Sequence, residues 1–322
     1  MPTTLTDDSP QRPFLYLAPL QGVTDAQFRT VFHHHFSGFD AAIAPFINPQ
    51  RHSGFKEKWL TDVFPENNPG LPIIPQLLNT NAEDFLALAG RLQDLGYTHI
   101  NWNLGCPVPM VAKKKRGSGL LPYPEMIIAL LEKVMPRLKM KLSIKTRLGY
   151  ASTHEILALL PQLDAFPLKE IIIHARLGKQ LYTGQVDLET FALCHEHSRH
   201  ELVYNGDITD IEIFRTLTER FPWVNRWMIG RGVLADPFLA MSLKGQCGSA
   251  QDRSQKLKEF HMDLYQGYRQ RFSGPGHLLG RMKQLWLYLI ASFPQKQKIL
   301  KRITKASTER DYLLAVDEIF RN

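Results

Sequence analysis

The chain has 322 residues, of which 44% are hydrophobic and 22% are charged, and this balance excludes a mainly disordered protein. Its formal net charge is +8, a total that is less informative than its distribution along the chain. No apolar stretch approaches the roughly 20 residues of a membrane span, so we expect no membrane partner. Three widely spaced cysteines form no disulfide framework and the N-terminal stretch is polar, so we expect a cytoplasmic protein without a secretory leader.

Short apolar stretches alternate with longer amphipathic ones through the first 245 residues. The amphipathic stretches carry helix signals, such as Asn81 before an apolar-periodic run that ends at Gly96, and Pro124 in a first helical turn. Alternating strands and helices imply a parallel sheet, and eight such units favour closure into a barrel. An open Rossmann-type sheet is the alternative, but no GxGxxG follows the first strand. The predicted strands are 14–18, 41–44, 72–77, 99–103, 141–146, 170–174, 202–204 and 227–229.

Residues 245–250 are small and polar, as expected of a linker, and three or four helices are predicted after them. The sequence therefore predicts an α/β fold with two domains. A (β/α)8 TIM barrel is expected at residues 1–245 and a small all-α helical bundle at residues 246–322. The clearest helical patterns in the second domain span 254–272, 278–293 and 308–320.

Positive charge is concentrated in the C-terminal part of the chain. Residues 251–322 hold 14 basic and 7 acidic side chains, whereas the rest of the chain is nearly neutral. A solvated basic surface on a small helical domain is one interpretation. The other, which we favour, is a surface that binds a polyanion such as nucleic acid.

The active site of a (β/α)8 barrel lies at the C-terminal ends of its strands. Six of the eight predicted strand ends are polar or glycine, and buried polar groups are costly without partners, so their convergence predicts a bound polar ligand. The loops after strands seven and eight, NGD at 205–207 and GRG at 230–232, are of the kind that holds phosphate in such barrels. The residues at the strand ends are Pro19, Phe46, Gln76, Asn103, Lys145, His174, Asn205 and Gly230.

Seven motifs, in order and with barrel spacing, resemble the tRNA-dihydrouridine synthase family of the bacterial, FMN-dependent type. NLGCP at 103–107 is the most diagnostic of them, and RMKQLW at 281–286 is similar to the family's helical domain. Leu20 and Leu177 depart from the residues common in the family, so the target uridine stays open. The other motifs are LAPLQGVTD at 17–25, Gln76, KTRLG at 145–149, HAR at 174–176, NGDI at 205–208 and GRG at 230–232.

The resemblance implies an enzyme that reduces the C5=C6 bond of a uridine in tRNA to dihydrouridine. Reduced FMN would deliver hydride to C6, Cys106 would donate the proton to C5, and NADPH or NADH would reduce the FMN again. We assign no metal. The residues expected to bind FMN are Ala18, Pro19, Leu20, Gln76, Lys145, His174, Asn205, Gly206, Asp207, Gly230 and Arg231.

A stacked base cannot enter a barrel mouth, so we expect a flipped uridine with the RNA backbone on the C-terminal basic helices. The basic run 113–116 precedes the glycine-rich stretch 117–119. We interpret the glycines as a hinge and the basic run as a lid that touches RNA phosphates, rather than as a solvated turn. We expect a monomer. The residues expected to contact substrate or RNA are Asn103, Arg147, Arg176, Lys113, Lys114, Lys115, Arg116, Arg281 and Lys283.

Two other functions fit parts of the sequence. A flavin barrel acting on a free pyrimidine, as dihydroorotate and dihydropyrimidine dehydrogenases do, would need a similar cavity but no basic helical domain. A non-catalytic RNA-binding protein would need the basic domain but not Cys106, Lys145 and His174 together. The choices between tRNA and ribosomal RNA, and between NADPH and NADH, stay open at this point.

Overall fold

A computed structural model describes residues 12–48, 57–246, 253–293 and 296–321. Within these ranges the strands are β1 (Phe14–Leu17), β2 (Ala41–Ile43), β3 (Ile73–Ile74), β4 (Gln76–Leu77), β5 (His99–Leu104), β6 (Lys141–Gly149), β7 (Ile171–Leu177), β8 (Leu202–Asn205) and β9 (Arg226–Ile229). All of their pairings are parallel, in the order β3-β2-β1-β9-β8-β7-β6-β5-β4.

The third predicted strand is divided at Pro75 into β3 and β4. Proline has no backbone N–H to donate, so the ladder is interrupted at this residue. β3 pairs with β2, with Ile74 opposite Ile43, and β4 pairs with β5, with Gln76 opposite Asn101. The two halves of this strand therefore join the two ends of the sheet, and the predicted (β/α)8 TIM barrel is confirmed.

Helices cover the barrel, and several begin at polar capping residues. Asn81 accepts hydrogen bonds from the backbone N–H groups of Glu83 and Asp84, which starts the second helix where the sequence predicts it. The helices that follow the strands are α1 (Ala26–His35), α2 (Ala82–Asp94), α3 (Pro109–Ala112), α4 (Pro124–Val134), α5 (His154–Leu163), α6 (Leu188–Glu196), α7 (Ile211–Arg220), α8 (Arg231–Ala235) and α9 (Leu239–Leu243).

Alternate residues of each strand point to opposite sides of the barrel wall. The outward set, which includes Trp102 and Ile144, packs against the helices in one large hydrophobic cluster. The inward set forms a second, smaller apolar cluster around Tyr16, Ile172 and Met228. That cluster has no member on β4, β5 or β6 among the described residues, because the inward side chains there are polar.

Helices α10 (Arg253–Arg271), α11 (Pro275–Leu289), α12 (Gln297–Lys305) and α13 (Glu309–Phe320) follow the barrel. Three of them match the predicted helices to within a few residues, and α12 is the additional one. The predicted linker at 245–250 lies largely outside the described residues. No helix in the described ranges is long and apolar enough to cross a membrane.

The C-terminal helices are packed tightly on the barrel. The ring of Phe260 on α10 lies 6.0 Å from that of Phe28 and 5.9 Å from that of Phe32, both on α1, with centroids taken as the reference points. The Oγ of Ser292 donates to the carbonyl of Ala235 at the end of α8, 2.6 Å away. The three phenylalanines belong to a hydrophobic cluster that continues from the barrel helices into α10, α11 and α13.

We predict that Phe260→Ala lowers the free energy of unfolding by about 3–5 kcal/mol, because it opens a cavity between α1 and α10. Denaturant titration of the full chain measures this change. Leu314→Ala is the matched control, since Leu314 lies on α13 with 52% of its side chain exposed, and it is expected to change stability by less than about 0.5 kcal/mol. Equal effects of the two substitutions would show that this contact contributes nothing specific.

Candidate functional site

The C-terminal ends of the strands enclose a cavity of about 610 Å³, a size typical of small-molecule sites. Its lining includes the predicted proton donor Cys106 and the predicted substrate residues Asn103 and Arg147. All the residues that the sequence predicts for cofactor binding also line it: Ala18, Pro19, Leu20, Gln76, Lys145, His174, Asn205, Gly206, Asp207, Gly230 and Arg231.

Lys145 lies at the floor of this cavity with a neutral partner. Its Nζ donates to Oδ1 of Asn205 at 3.0 Å. Burial, reinforced by the charge of nearby Arg147, lowers the pKa of Lys145 to about 7. Because the charged ammonium is destabilised here, an electron-rich or anionic group that approached Lys145 would favour protonation.

His174 lies near Lys145, in the middle of β7, and is buried among cations. Burial, followed by the charges of Arg147, Lys145 and other arginines, lowers its pKa well below the ordinary value. The imidazole is therefore neutral near pH 7, and can act as a hydrogen-bond donor through one ring nitrogen and an acceptor through the other. Asp207 is the one carboxylate among the described residues that line the cavity, so cations outnumber anions there.

Asp207 binds two arginines at the cavity rim. Its Oδ1 accepts from Arg231 at 2.9 Å, and both of its oxygens accept from Arg176. Burial alone would raise the pKa of Asp207, but the hydrogen bonds and charges of the two arginines outweigh it and hold the pKa below its usual value. Asp207 has a φ of +38°, a left-handed backbone conformation that few residues other than glycine adopt.

Arg176, predicted to contact substrate, does not line the cavity. Its guanidinium is buried and donates to the carbonyls of Thr183 and Gly184 as well as to Asp207. The structure therefore places Arg176 behind the rim, where it fixes the loop after β7. The same motif, HAR at 174–176, thus has one side chain in the cavity and one that supports it.

Cys106 is half-buried on the loop after β5, and its backbone is held on both sides. The Oδ1 of Asn103 accepts from the N–H of Gly105 at 3.0 Å and from that of Cys106 at 2.8 Å. The carbonyl of Cys106 accepts from the N–H and the Oγ of Ser118, at 3.0 Å and 3.1 Å. Burial raises the pKa of the Cys106 thiol, although the N–H of Val108 and nearby cations oppose the shift.

The loop that follows differs from the predicted hinge. A Cβ at Gly117 would come within 2.6 Å of the carbonyl oxygen of Cys106, and a Cβ at Gly119 within 2.3 Å of that of Ala112. Glycine is needed here for close packing, which accounts for the glycine-rich stretch without a hinge.

The basic run itself is largely at the surface. Lys113, Lys114 and Lys115 are exposed, with Lys115 over the ring of Tyr123, whereas Arg116 is half-buried. The Nη1 of Arg116 donates to the side chain of Asn48 at 3.2 Å, and this contact ties Arg116 to the loop after β2.

Arg281 and Lys283 on α11 lie outside the cavity lining. The Nζ of Lys283 donates to the carbonyl of Ala306 and thereby caps α12. Arg281 lies 3.7 Å from a carboxylate oxygen of Asp25, and its Nη1 is buried without a hydrogen-bond partner among the described residues. Lys283 uses one of its three donors in this bond, whereas Nη1 of Arg281 is buried and unpaired among the described residues.

Several aromatic or polar residues of the cavity were not assigned to the site from the sequence, among them Gln284, Tyr288 and Tyr182. Gln284 and Tyr288 bring α11 into the lining, and Tyr182 stands at the rim, half-exposed, with the Arg231 guanidinium 4.8 Å from its ring centroid. The signal for the first two was the helical spacing, since Gln284 and Tyr288 are four residues apart and therefore share one helix face. Among the described residues, no group of three or more His, Cys, Asp or Glu side chains is arranged to hold a metal ion.

Comparisons with known sequences identify similar proteins. A family model described as "Dihydrouridine synthase" matches residues 16–319. The chain is 27% identical over 305 residues to a probable tRNA-dihydrouridine synthase of Rhodobacter capsulatus, a match that covers 92% of each protein. It is also 27% identical over 231 residues to tRNA-dihydrouridine synthase B of Serratia marcescens, covering 70% of this chain and just under two thirds, 66%, of that protein.

Solved structures are similar at the level of the fold. Morphinone reductase superposes with a TM-score of 0.52 at 12% sequence identity, over 76% of this chain and 88% of its own. Histamine dehydrogenase from Rhizobium sp. 4-9 superposes with a TM-score of 0.55 at 10% identity, over 79% of this chain and 49% of its own. At such identities the likeness shows the barrel architecture alone.

The low pKa of Lys145 predicts a pH dependence of stability. Between the folded value of about 7 and the ordinary value of 10.5, the unfolded chain holds more protons than the folded one, so stability rises with pH across this window. We expect Lys145→Met to remove this contribution and to flatten the rise. Denaturant titrations near the two ends of the window, on protein freed of bound ligands, measure it. Lys141→Met, at an exposed position of the same strand, is the control, and an unchanged rise in Lys145→Met would contradict the prediction.

Proposed function

The chain belongs to the dihydrouridine synthase family, and we propose that it reduces the C5=C6 bond of one uridine in tRNA to dihydrouridine. The names of its curated relatives support tRNA as the substrate. The main observation that supports this reaction is the position of Cys106. Burial raises the pKa of its thiol, and it lines the same cavity as a cluster of cations and amides. Such a thiol stays protonated at neutral pH and is able to give its proton to a substrate.

The cavity residues fit FMN as the cofactor. Cations exceed carboxylates in the lining, and Lys145 has a neutral partner where an electron-rich ring would stabilise its charge. When bound, FMN would supply the hydride for the reduction and would itself be reduced again by NADPH.

Each part of FMN has candidate partners in this cavity. Arg231 and His174, with the backbone of the loops at 205–207 and 230–232, would hold the phosphate. The buried amide of Gln76 would hydrogen-bond the pyrimidine edge of the ring, and Lys145 would stabilise negative charge there. Ala18, Pro19 and Leu20 would line one side of the ring, and Asn205 would keep Lys145 in place.

Cys106 would hold the proton at its Sγ and transfer it to C5 of the uracil. Asn103 holds the Cys106 backbone, so it would set the direction of the thiol. Arg147 is fixed by the carbonyls of Gly105 and Leu177, and its charge lies close enough to Cys106 to affect the thiol. It would stabilise negative charge that develops on the uracil oxygens.

The RNA would lie across the cavity mouth with the target uridine flipped into it. Lys113, Lys114 and Lys115 are exposed next to the Cys106 loop and would contact phosphates. Residues 246–322 would form the RNA-binding domain, in which Arg281, whose side chain is 23% exposed, would contact the RNA. We expect Lys283 to act mainly by holding α12, because its ammonium is already bound to Ala306. The protein would work as a monomer.

We predict that the purified protein with NADPH forms dihydrouridine in bulk tRNA that lacks this modification, and that Cys106→Ala lowers the rate by about 10²–10⁴-fold, the usual contribution of a general acid. Liquid chromatography with mass spectrometry of the nucleosides measures the product. Cys194→Ala is the matched control, because Cys194 is buried on α6 and lies outside the cavity lining.

Other results would redirect the assignment. A yellow protein that oxidises NADPH without modifying tRNA would contradict the proposed substrate and favour ribosomal RNA or a free pyrimidine. A colourless protein that binds tRNA and cannot be loaded with FMN would favour a non-catalytic RNA-binding protein.

We also predict that Arg231→Met weakens FMN binding by roughly 10–100-fold, the loss expected for a hydrogen bond to a charged group. Riboflavin, which lacks the phosphate, should bind the variant and the wild type with similar affinity. Quenching of flavin fluorescence measures both dissociation constants. The control is Arg137→Met, an exposed arginine paired with Glu83 away from the cavity. Equal losses for FMN and riboflavin would place the Arg231 contact away from the phosphate.

A further inference from the structure

A chain of hydrogen-bonded side chains crosses the barrel interior below the cavity. Barrel interiors are usually filled by branched apolar side chains, but here Gln76, Asn101 and Ser143 occupy inward positions on β4, β5 and β6 and are fully buried. Burying polar groups costs free energy unless they are hydrogen-bonded, so their presence in the interior needs an explanation. We call the set Asn103, Gln76, Asn101, Ser143, His99 and Lys169 the interior chain.

The links of the interior chain near the cavity are short. The Nδ2 of Asn103 donates to Oε1 of Gln76 at 2.8 Å, and the Nε2 of Gln76 donates to Oδ1 of Asn101 at 2.7 Å. The Nδ2 of Asn101 donates to Oγ of Ser143 at 2.8 Å. Three consecutive amide or hydroxyl links therefore connect the Cys106 loop to the middle of the barrel.

At the cavity end of the interior chain, the backbone N–H groups of the loop after β5 fix which atom of each amide donates and which accepts. Backbone N–H groups can only donate, and those of Gly105 and Cys106 both point at one atom of Asn103, which must be its oxygen. The nitrogen of Asn103 is therefore left to face Gln76, which must present its oxygen. The same reasoning then fixes the amide of Asn101.

The opposite end of the interior chain is fixed by Lys169. An ammonium has donors and no acceptor, so Nδ1 of His99, 3.4 Å from Nζ of Lys169, must accept. Burial lowers the pKa of His99 to about 3, so the ring is neutral and its hydrogen lies on Nε2, which donates to Oγ of Ser143 at 2.8 Å. Ser143 thus accepts from both sides, and its hydroxyl faces the carbonyl of Ile100 at 3.5 Å.

We propose that Asn101 and Ser143 are positioning residues for the reaction, which fix the amides of Gln76 and Asn103 and thereby hold the Cys106 loop. Neither residue lines the cavity. Their effect would pass through Asn103, whose side-chain oxygen accepts the N–H of Cys106. Turning any amide of the interior chain would set two N–H groups, or two oxygens, against each other.

This inference rests on the proposed function only because it takes Cys106 as the proton donor. Its test needs neither flavin nor RNA. In Ser143→Ala, the Nδ2 of Asn101 loses its acceptor, and rotation of the amides to recover one would compete with the Asn103 bonds to the Cys106 loop. The thiol should then become more accessible. We expect alkylation of Cys106 by iodoacetamide to become faster by roughly threefold or more, with its pH profile shifted to lower pH.

Peptide mass spectrometry of the purified full-length protein reports the alkylation of Cys106 and Cys194 separately. Cys194, buried on α6, serves as an internal control, because global loosening of the fold would accelerate its alkylation too. Ser143→Thr retains the hydroxyl and should restore the wild-type profile of Cys106. Should Ser143→Ala not fold, Asn101→Ala breaks the same link from the other side and is measured in the same way.

Faster alkylation confined to Cys106, with recovery in Ser143→Thr, would support the proposal. An unchanged Cys106 profile, or a parallel rise at Cys106 and Cys194, would overturn it and leave the interior chain as a means of satisfying buried polar groups. Because the readout is independent of turnover, absence of dihydrouridine formation would bear on the proposed function alone.

Discussion

Each strand of a closed barrel sends alternate side chains to its inside and outside, and the rest of this structure depends on that period of two. Trp102 and Ile144 face the helices, while their neighbours Asn103 and Lys145 face the interior. A slip of one residue in pairing would exchange the two sets and bury the polar side chains among the helices. The same pattern therefore fixes the register of the sheet and the composition of the cavity.

The barrel interior holds two sets of buried polar groups, the interior chain and the charged side chains around the cavity. They differ in how completely other protein groups pair with them. The interior chain is closed within the protein, since each of its amides has a donor and an acceptor partner. The cations at the cavity floor and rim are compensated only in part, because Asp207 is shared between Arg176 and Arg231 while Lys145 has a neutral partner. The interior chain is thus paired without a ligand, whereas the charges at the cavity floor and rim are only partly compensated.

The sequence was most informative where a residue's role depends on its own strand or helix. The place of Lys145 on its strand and the cap at Asn81 are local features, and both were predictable from spacing and residue type, although β6 continues to Gly149, beyond the predicted end of that strand. Gln284 and Tyr288 were not, because their place in the cavity depends on how α11 packs against the barrel more than 50 residues after β9. Gly119 was misinterpreted for a different reason. A glycine can serve either as a flexible hinge or as a site where two backbone segments pack closely, and only the structure, with Ala112 next to Gly119, shows that close packing is the reason here.

The low pKa of Lys145 has a consequence for ligand binding. With a pKa near 7, this side chain is only partly protonated in the empty cavity at physiological pH. An anionic group placed beside it would raise that pKa, so binding would draw a fraction of a proton from the solvent. The heat of association would then depend on the ionisation enthalpy of the buffer, and the affinity would fall as the solution becomes more alkaline.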